Sequence, residues 1–214
     1  MIQHLPLSLG RPKDSAKREL ILSAAETAFF AQGFSAATIE RIAADAGVSK
    51  VTVYGHFGDK ETLFEAVVTR EADQIKAAVA QLVTANSSLE QSLIDLGEVF
   101  IGFVLSPRVI NFDRLLVAEA VKNPGLAKRF MTAGPHQIKR LLETIIARGV
   151  QSGELTVPDL PKAAEDMAGL WFGMAKMEAQ MGLLGQLAPD IISARVRHGV
   201  MVFLRAYARG AVVG

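Results

Sequence analysis

The apolar residues of this chain recur at intervals of three and four over almost its whole length, which is the spacing of one face of an α-helix. Between residues 17 and 32 the repeat consists of Ile21, Ala24, Ala25, Ala28 and Phe29. No stretch alternates apolar and polar residues as a half-buried strand does. The pattern therefore predicts an all-α fold with about nine or ten helices.

Short polar residues precede several of the predicted helices. Thr38, Ser49 and Asp59 are predicted N-caps, because their side-chain oxygens can accept hydrogen bonds from the free N–H groups of the first turn. Gly33 is predicted to end the first helix, since glycine adopts the left-handed conformation at little cost. The later helices are expected at about 59–84, 88–105, 108–122, 125–131, 134–152, 160–184 and 190–208.

These helices divide into two predicted domains, residues 1–64 and residues 65–214. Residues 1–13 are expected to form a flexible arm, and the basic residues between Arg11 and Arg18 make the start of the chain locally positive. The N-terminal segment lacks the features of a signal peptide. No run of about 18 uncharged apolar residues indicates a membrane span. We therefore expect a cytoplasmic protein with no membrane partner.

Composition excludes several kinds of chemistry. The chain contains no cysteine, which rules out disulfides, thiolate metal sites and a cysteine nucleophile. His4, His136 and His198 are scattered and do not have metal-ligand spacing. Paired catalytic carboxylates, a serine nucleophile motif and a phosphate-binding glycine loop are also lacking. We therefore expect no metal, no cofactor and no enzymatic activity.

Residues 38–57 have the organisation of a helix-turn-helix. A short capped helix is followed by a turn around Gly47 and a second short helix. The second helix is suited to the major groove of DNA, where its N-terminal side chains meet the edges of the bases. Base reading would then fall to Lys50 and Thr52, with Val51 against a thymine methyl group.

Other polar residues of this segment are predicted to contact phosphates, which position a protein on DNA without reading its sequence. Tyr54 and His56 can donate hydrogen bonds to phosphate oxygens. Thr38 and Lys60 stand at helix N-termini, which attract anions. Structural interpretations are also open for three residues: Tyr54 as a core tyrosine, His56 as a structural histidine and Lys50 as a solvated lysine. The predicted DNA-contacting set is Thr38, Ser49, Lys50, Val51, Thr52, Tyr54, His56 and Lys60.

This segment resembles the N-terminal DNA-binding domain of the TetR family of bacterial transcriptional regulators. The matching positions are Ile21-Leu22, Ala24-Ala25, Phe29, Gly33-Phe34, Thr38, Ile42-Ala43, Ala46-Gly47-Val48-Ser49, Tyr54, His56-Phe57, Lys60 and Leu63. Gly55 departs from the family pattern, in which many members carry an aromatic or long side chain. The stretches "LLVAEAVKNPGLAKRFMTAG" and "GELTVPDLPKAAEDMAGLWFG" resemble a proteobacterial subtype of the family's C-terminal region. The resemblance implies a homodimeric repressor that a small-molecule effector releases from a palindromic DNA operator.

The resemblance places effector binding and dimerisation in the second domain. A mostly apolar effector pocket is expected, with Glu119 as a polar anchor or at the solvent edge; the lining would be Phe100, Phe103, Phe112, Leu116, Trp171 and Met174. The same residues are equally compatible with a solid core. The expected dimer interface comprises Met167, Leu170, Met177, Met181, Ile192, Val196, Val200 and Phe203.

Two other functions remain open at this point. The chain could bind DNA in chromosome organisation without any effector, or it could be an all-α enzyme that contains a helix-turn-helix. The lack of a catalytic constellation argues against the enzyme. A cavity in the second domain would separate the effector-responsive regulator from the chromosome-organising protein.

Overall fold

The computed structural model describes residues 11–84 and 87–209, with side chains from residue 14 onward. The all-α prediction is confirmed, and an isolated bridge between Leu155 and Ala208 is the single strand-like feature of the described residues. The helices are α1 (Arg11–Ala36), α2 (Ile39–Asp45), α3 (Lys50–Phe57), α4 (Lys60–Leu82), α5 (Leu89–Val104), α6 (Pro107–Ala120), α7 (Pro124–Ala133), α8 (Pro135–Gln151), α9 (Leu160–Phe172), α10 (Ala175–Gln180) and α11 (Pro189–Tyr207).

Two glycines shape these helices. Gly33 leaves helical geometry within α1, with φ 81° and ψ 172°, so the predicted end of the first helix is confirmed. Gly173 has φ 45° and ψ −129°, a conformation that side-chain-bearing residues rarely adopt. It divides the predicted helix over 160–184 into α9 and α10, so the ten predicted helices correspond to eleven helices in the described part of the chain.

The predicted helix caps are also confirmed. The hydroxyls of Thr38 and Ser49 accept hydrogen bonds from backbone N–H groups three residues later, at 3.2 and 3.1 Å. The Asp59 carboxylate accepts one from the N–H of Thr62 at 2.6 Å. Each such cap is worth about 1 kcal/mol, so the caps define where α2, α3 and α4 begin.

The backbone contacts divide the chain into two compact units, residues 1–67 and residues 68–214; we call them the N-terminal and C-terminal units. The boundary falls within α4, close to residue 64, where the first predicted domain ends. Of the predicted arm, residues 1–10 lie outside the described residues, and α1 begins at Arg11.

Three aromatic rings form the centre of the N-terminal unit. Phe29 stacks on Phe34 with ring centroids 5.8 Å apart, and Phe64 meets both rings edge-on at 5.4 Å. Aromatic pairs at these distances add to the stabilisation that comes from burial. The cluster ties α1 to the start of α4.

The C-terminal unit is built around α5, α8, α9 and α11, and its largest fully buried side chain is Trp171. Gly97 and Gly199 allow α5 and α11 to approach the indole ring. A Cβ atom added at Gly97 would lie 2.8 Å from the ring, and one added at Gly199 would lie 3.1 Å from it. No described helix combines the length and the apolar character needed to cross a bilayer.

Candidate nucleic-acid interface

The predicted helix-turn-helix is present in α2 and α3. The turn between them passes through Gly47, whose φ of 66° favours glycine. The N–H of Val48 donates a hydrogen bond to the carbonyl of Ala43 at 3.0 Å. Ile42, Val53 and Phe57 are buried, and their burial leaves the opposite face of α3 open to a partner.

The open face of α3 combines a cation, an alkyl group, a phenol and bare backbone. Lys50, Val51, Tyr54 and Gly55 are all exposed, and Val51 is 80% exposed. A Cβ atom at position 55 would meet nothing within 4 Å. Because Val51 adds almost nothing to the core, its isopropyl group is available to an outside surface, such as a thymine methyl.

Lys50 is held by a residue that the sequence analysis missed. Its ammonium group donates a hydrogen bond to the carboxylate of Glu40 on α2, and it lies 5.7 Å from the centroid of the Tyr54 ring. This hydrogen bond lowers the pKa of Glu40 and raises the pKa of Lys50. The pair crosses between the two helices of the motif on its exposed side.

The hydroxyls of Ser49 and Thr52 lie 2.8 Å apart at the start of α3. Ser49 is exposed, whereas Thr52 is half-buried. The hydroxyl pair stands beside Lys50 and Val51, so the structure brings the predicted base-reading residues together in the first turn of α3.

His56 and Lys60 have partners within the N-terminal unit. The Nε2 atom of His56 lies 3.3 Å from the Asp14 carboxylate, and the imidazole side chain is only 15% exposed. Lys60 donates to the carbonyl of Ser35 at 3.3 Å. Its ammonium group also lies 4.5 Å from the centroid of the Phe34 ring. The contact with Asp14 supports the structural interpretation of His56, and the phosphate contacts of both residues stay predictions.

Trp171, which was predicted to line a pocket, is enclosed in this structure. The ring has no exposed surface, and the close approach of Gly97 and Gly199 fills the space along its edge. Phe112 and Leu116 are buried as well, and the Phe112 ring lies 5.9 Å from the ring of Phe130.

The other predicted pocket residues have different surroundings. Phe100 and Phe103 are half-buried against the core, and Phe100 meets Phe172 edge-on at 5.7 Å. Met174 is exposed at the break between α9 and α10, and Glu119 is half-buried. A cleft of the C-terminal unit contains none of the predicted lining; its walls are Ser87, Ser88, Leu89, Ser92, Ile145, Arg148, Gly149, Ser152 and Glu154.

Four residues of the predicted dimer interface are enclosed within this chain. Met167, Val196, Val200 and Phe203 have no exposed surface and belong to the core of this chain. The reason is that α11 packs against α5 and α9 of the same chain, so the apolar stripe of α11 is used internally. Ile192 is half-buried, whereas three predicted residues are exposed: Leu170, Met177 and Met181.

Three histidines lie outside the helix-turn-helix, at positions 4, 136 and 198. His4 lies outside the described residues, while His136 and His198 are exposed on α8 and α11. Among the described residues, no group of three or more histidine, aspartate or glutamate side chains is arranged to hold a metal ion.

Two family profiles match the chain. The profile of bacterial regulatory proteins of the tetR family matches residues 21–67. The profile of the C-terminal domain of AefR-like transcriptional repressors matches residues 91–209. One match lies in each helical unit.

Individual proteins with similar sequences are transcriptional regulators. The regulator SrpR of Pseudomonas putida is 27% identical over 158 residues, which is 73% of this chain and 72% of SrpR. The transcriptional activator FasR of Mycolicibacterium smegmatis is 34% identical over 93 residues, 44% of this chain and 42% of FasR.

Solved structures show the same fold. A regulator from Mesorhizobium loti that is assigned to the TetR family superposes with a TM-score of 0.78 and 26% identity, over 92% of this chain and all of that one. The flavonoid-responsive regulator FrrA superposes with a TM-score of 0.75 and 27% identity, again over 92% of this chain and all of FrrA.

Proposed function

Because the chain belongs to the TetR family of bacterial regulatory proteins, we propose that it is a homodimeric repressor that leaves a palindromic operator when a small apolar effector binds. As a member of this family it is a DNA-binding transcriptional regulator. The observation that carries the proposal is the exposed face of α3 on a capped helix-turn-helix, with Lys50, Val51 and Tyr54 directed away from the core. We place its action in the cytoplasm, where bacterial DNA is found.

In this proposal the first turn of α3 enters the major groove. Lys50 donates to guanine, Val51 contacts a thymine methyl group, and Thr52 adds a hydroxyl contact. Tyr54 and the N-terminus of α2 at Thr38 bind phosphates on either side of the groove. His56 and Lys60 could join them only by exchanging their internal partners for phosphate.

A dimer would present two copies of α3 to successive turns of the groove, about 34–36 Å apart. The exposed apolar residues of the C-terminal unit supply a surface for that contact. They include Leu170, Met177 and Met181 of the predicted interface, together with Ile191. An apolar surface of this kind is typical of a homodimer interface.

The effector part of the proposal depends on the C-terminal unit. FrrA, whose fold this chain shares, is described as flavonoid-responsive, which supports a small aromatic or apolar effector here. The predicted contacts are apolar except for Glu119: Phe100, Phe103, Phe112, Leu116, Glu119, Trp171 and Met174. The effector must bind the DNA-incompetent arrangement more tightly, because equal affinity for both arrangements would shift nothing. No catalytic step is included, since the named relatives are regulators.

Selection of DNA from a random library by the intact protein tests this function. We expect enrichment of a palindrome, binding of one dimer per palindrome in sedimentation, and release by an apolar compound that also raises the melting temperature. Val51→Ala should weaken binding to the enriched sequence while leaving melting unchanged, because Val51 is exposed. A library without enrichment refutes the DNA-binding proposal, and strong ligand stabilisation without release refutes the effector proposal alone.

A further inference from the structure

Glu40 is the one acidic partner of Lys50 that the described residues reveal. The contact joins the second residue of α2 to the first residue of α3. Both side chains are largely exposed, at 63% for Glu40 and 48% for Lys50. The pair therefore lies on the outer side of the motif, where the proposed DNA surface begins, and not in the interior.

Protein stability does not account for this pair. Ion pairs between exposed side chains contribute little to folding, because water and salt screen them and two flexible side chains lose freedom. The N-cap hydroxyls of Thr38 and Ser49 already fasten the starts of both helices. A carboxylate on a surface that meets a polyanion also opposes binding through like-charge repulsion. Its presence beside Lys50 calls for a role in recognition.

The geometry of an ammonium group supplies such a role. A lysine side chain has three N–H donors. When one of them is held by Glu40, two remain for the O6 and N7 acceptors of guanine, which are the acceptors that a lysine reads in the major groove. A flexible lysine without this restraint can equally reach a phosphate, and phosphates are the same in every sequence.

We propose that Glu40 is a positioning residue that sets operator specificity through Lys50, an inference that rests on the proposed DNA-binding function. Glu40 holds the ammonium group at the start of α3 and directs it toward a base edge. On random DNA, Lys50 can bind a phosphate only by leaving Glu40, and the carboxylate then remains unpaired beside the phosphate backbone. On the operator, Lys50 contacts guanine without leaving Glu40. The carboxylate thus weakens random binding more than operator binding.

The test compares wild-type protein with Glu40→Gln on the selected operator and on a random duplex of the same length, by fluorescence anisotropy over a series of salt concentrations. We expect Glu40→Gln to bind random DNA more tightly, and the ratio of operator to random affinity to fall about tenfold. The salt dependence on random DNA should steepen by roughly 0.9 in log–log slope, which corresponds to one added phosphate contact.

Two further variants isolate the role of the pair. Glu165→Gln removes the same charge from an exposed pair in the C-terminal unit, where Glu165 and Lys139 lie 2.6 Å apart, and should leave the ratio unchanged. Lys50→Gln provides the other arm of a double-mutant cycle. In the Lys50→Gln background, Glu40→Gln should no longer alter the ratio or the salt slope, because the group it positions is gone.

The outcomes separate this inference from the function on which it rests. An unchanged ratio in Glu40→Gln overturns the role of Glu40 while leaving operator binding intact. An equal effect of Glu40→Gln with and without Lys50 overturns it too, since it would reveal general charge repulsion. Failure of the wild-type chain to enrich any sequence overturns the proposed function itself. Circular dichroism and melting confirm that the exposed substitution leaves the fold unchanged.

Discussion

Gly97 is a position at which one added methyl group should strongly destabilise the C-terminal unit. Its Cβ atom in Gly97→Ala would lie 2.6 Å from Cγ1 of Val196 and 2.8 and 2.9 Å from two atoms of the Trp171 ring. Real Cβ atoms do not come this close to their neighbours. Val196 and Trp171 are both fully buried, so neither can move aside into solvent, and α5 must shift away from α9 and α11.

The expected cost follows from two opposing effects. Overpacking a close-packed core with one methyl group typically costs about 1–3 kcal/mol, and three contacts under 3.0 Å place Gly97→Ala at or beyond the upper end. Replacing glycine by alanine within a helix stabilises the helix by up to about 1 kcal/mol. A net loss of roughly 2 kcal/mol remains, which for a protein of this size lowers the melting temperature by roughly 4–8 °C.

The assay has a built-in reporter, since Trp171 is the single tryptophan of the chain. Its fluorescence follows unfolding of the C-terminal unit, measured at equal protein concentrations because association would shift the melting temperature. Gly102→Ala on the same helix is the matched control. Its Cβ atom would lie 3.9 Å from Cδ1 of Ile192, an ordinary contact, so this variant should be as stable as wild type or slightly more stable. A Gly97→Ala protein that melts no lower than wild type would refute the close packing of α5 against Trp171.

Two more predictions concern polar contacts. Lys60→Met removes the contacts of Lys60 with Ser35 and Phe34, which should cost about 1 kcal/mol. Amide hydrogen exchange in α1 should therefore be about fivefold faster in the variant, measured without DNA. Unchanged exchange would indicate that Lys60 acts only in DNA binding. The hydrogen bond from Tyr207 to Asp166, 2.7 Å long, raises the pKa of Tyr207 to about 12 and lowers the pKa of Asp166. Wild type should therefore be more stable than Tyr207→Phe between about pH 4 and pH 10. The difference in unfolding free energy should shrink below about pH 4, as the carboxylate is protonated, and from about pH 10 to about pH 12, as the phenol ionises. Urea unfolding across this range measures the difference, and a difference independent of pH would contradict the prediction.

Features that depend on neighbours in sequence could be predicted, and features that depend on distant residues could not. The caps at Thr38, Ser49 and Asp59 act within three residues, so short sequence patterns reveal them. The partner of Lys50 is ten residues away, and the partner of His56 is on a different helix. No local pattern marks either carboxylate as a partner.

The C-terminal unit shows a second limit of sequence patterns. The spacing of Val196, Val200 and Phe203 correctly places them on one face of a helix, but the spacing cannot say whether the same chain or a second copy covers that face. The fold answers this because α11 packs on α5 and α9. The same ambiguity applies to Trp171, since a large apolar side chain is equally suited to a cavity wall and to a filled core.

The internal partners of the predicted DNA-contacting residues affect how much each residue can contribute to operator affinity. His56 and Lys60 already have partners in Asp14 and the Ser35 carbonyl, so a phosphate can add only the difference between the new contact and the old one. Val51 gives up no comparable internal contact when it binds DNA, because the residue is 80% exposed. Burying its side chain against DNA would release nearly the full transfer free energy of a valine, roughly 1.5 kcal/mol. Sequence reading in the first turn of α3 should therefore contribute a larger share of operator affinity than the number of basic residues in the motif implies.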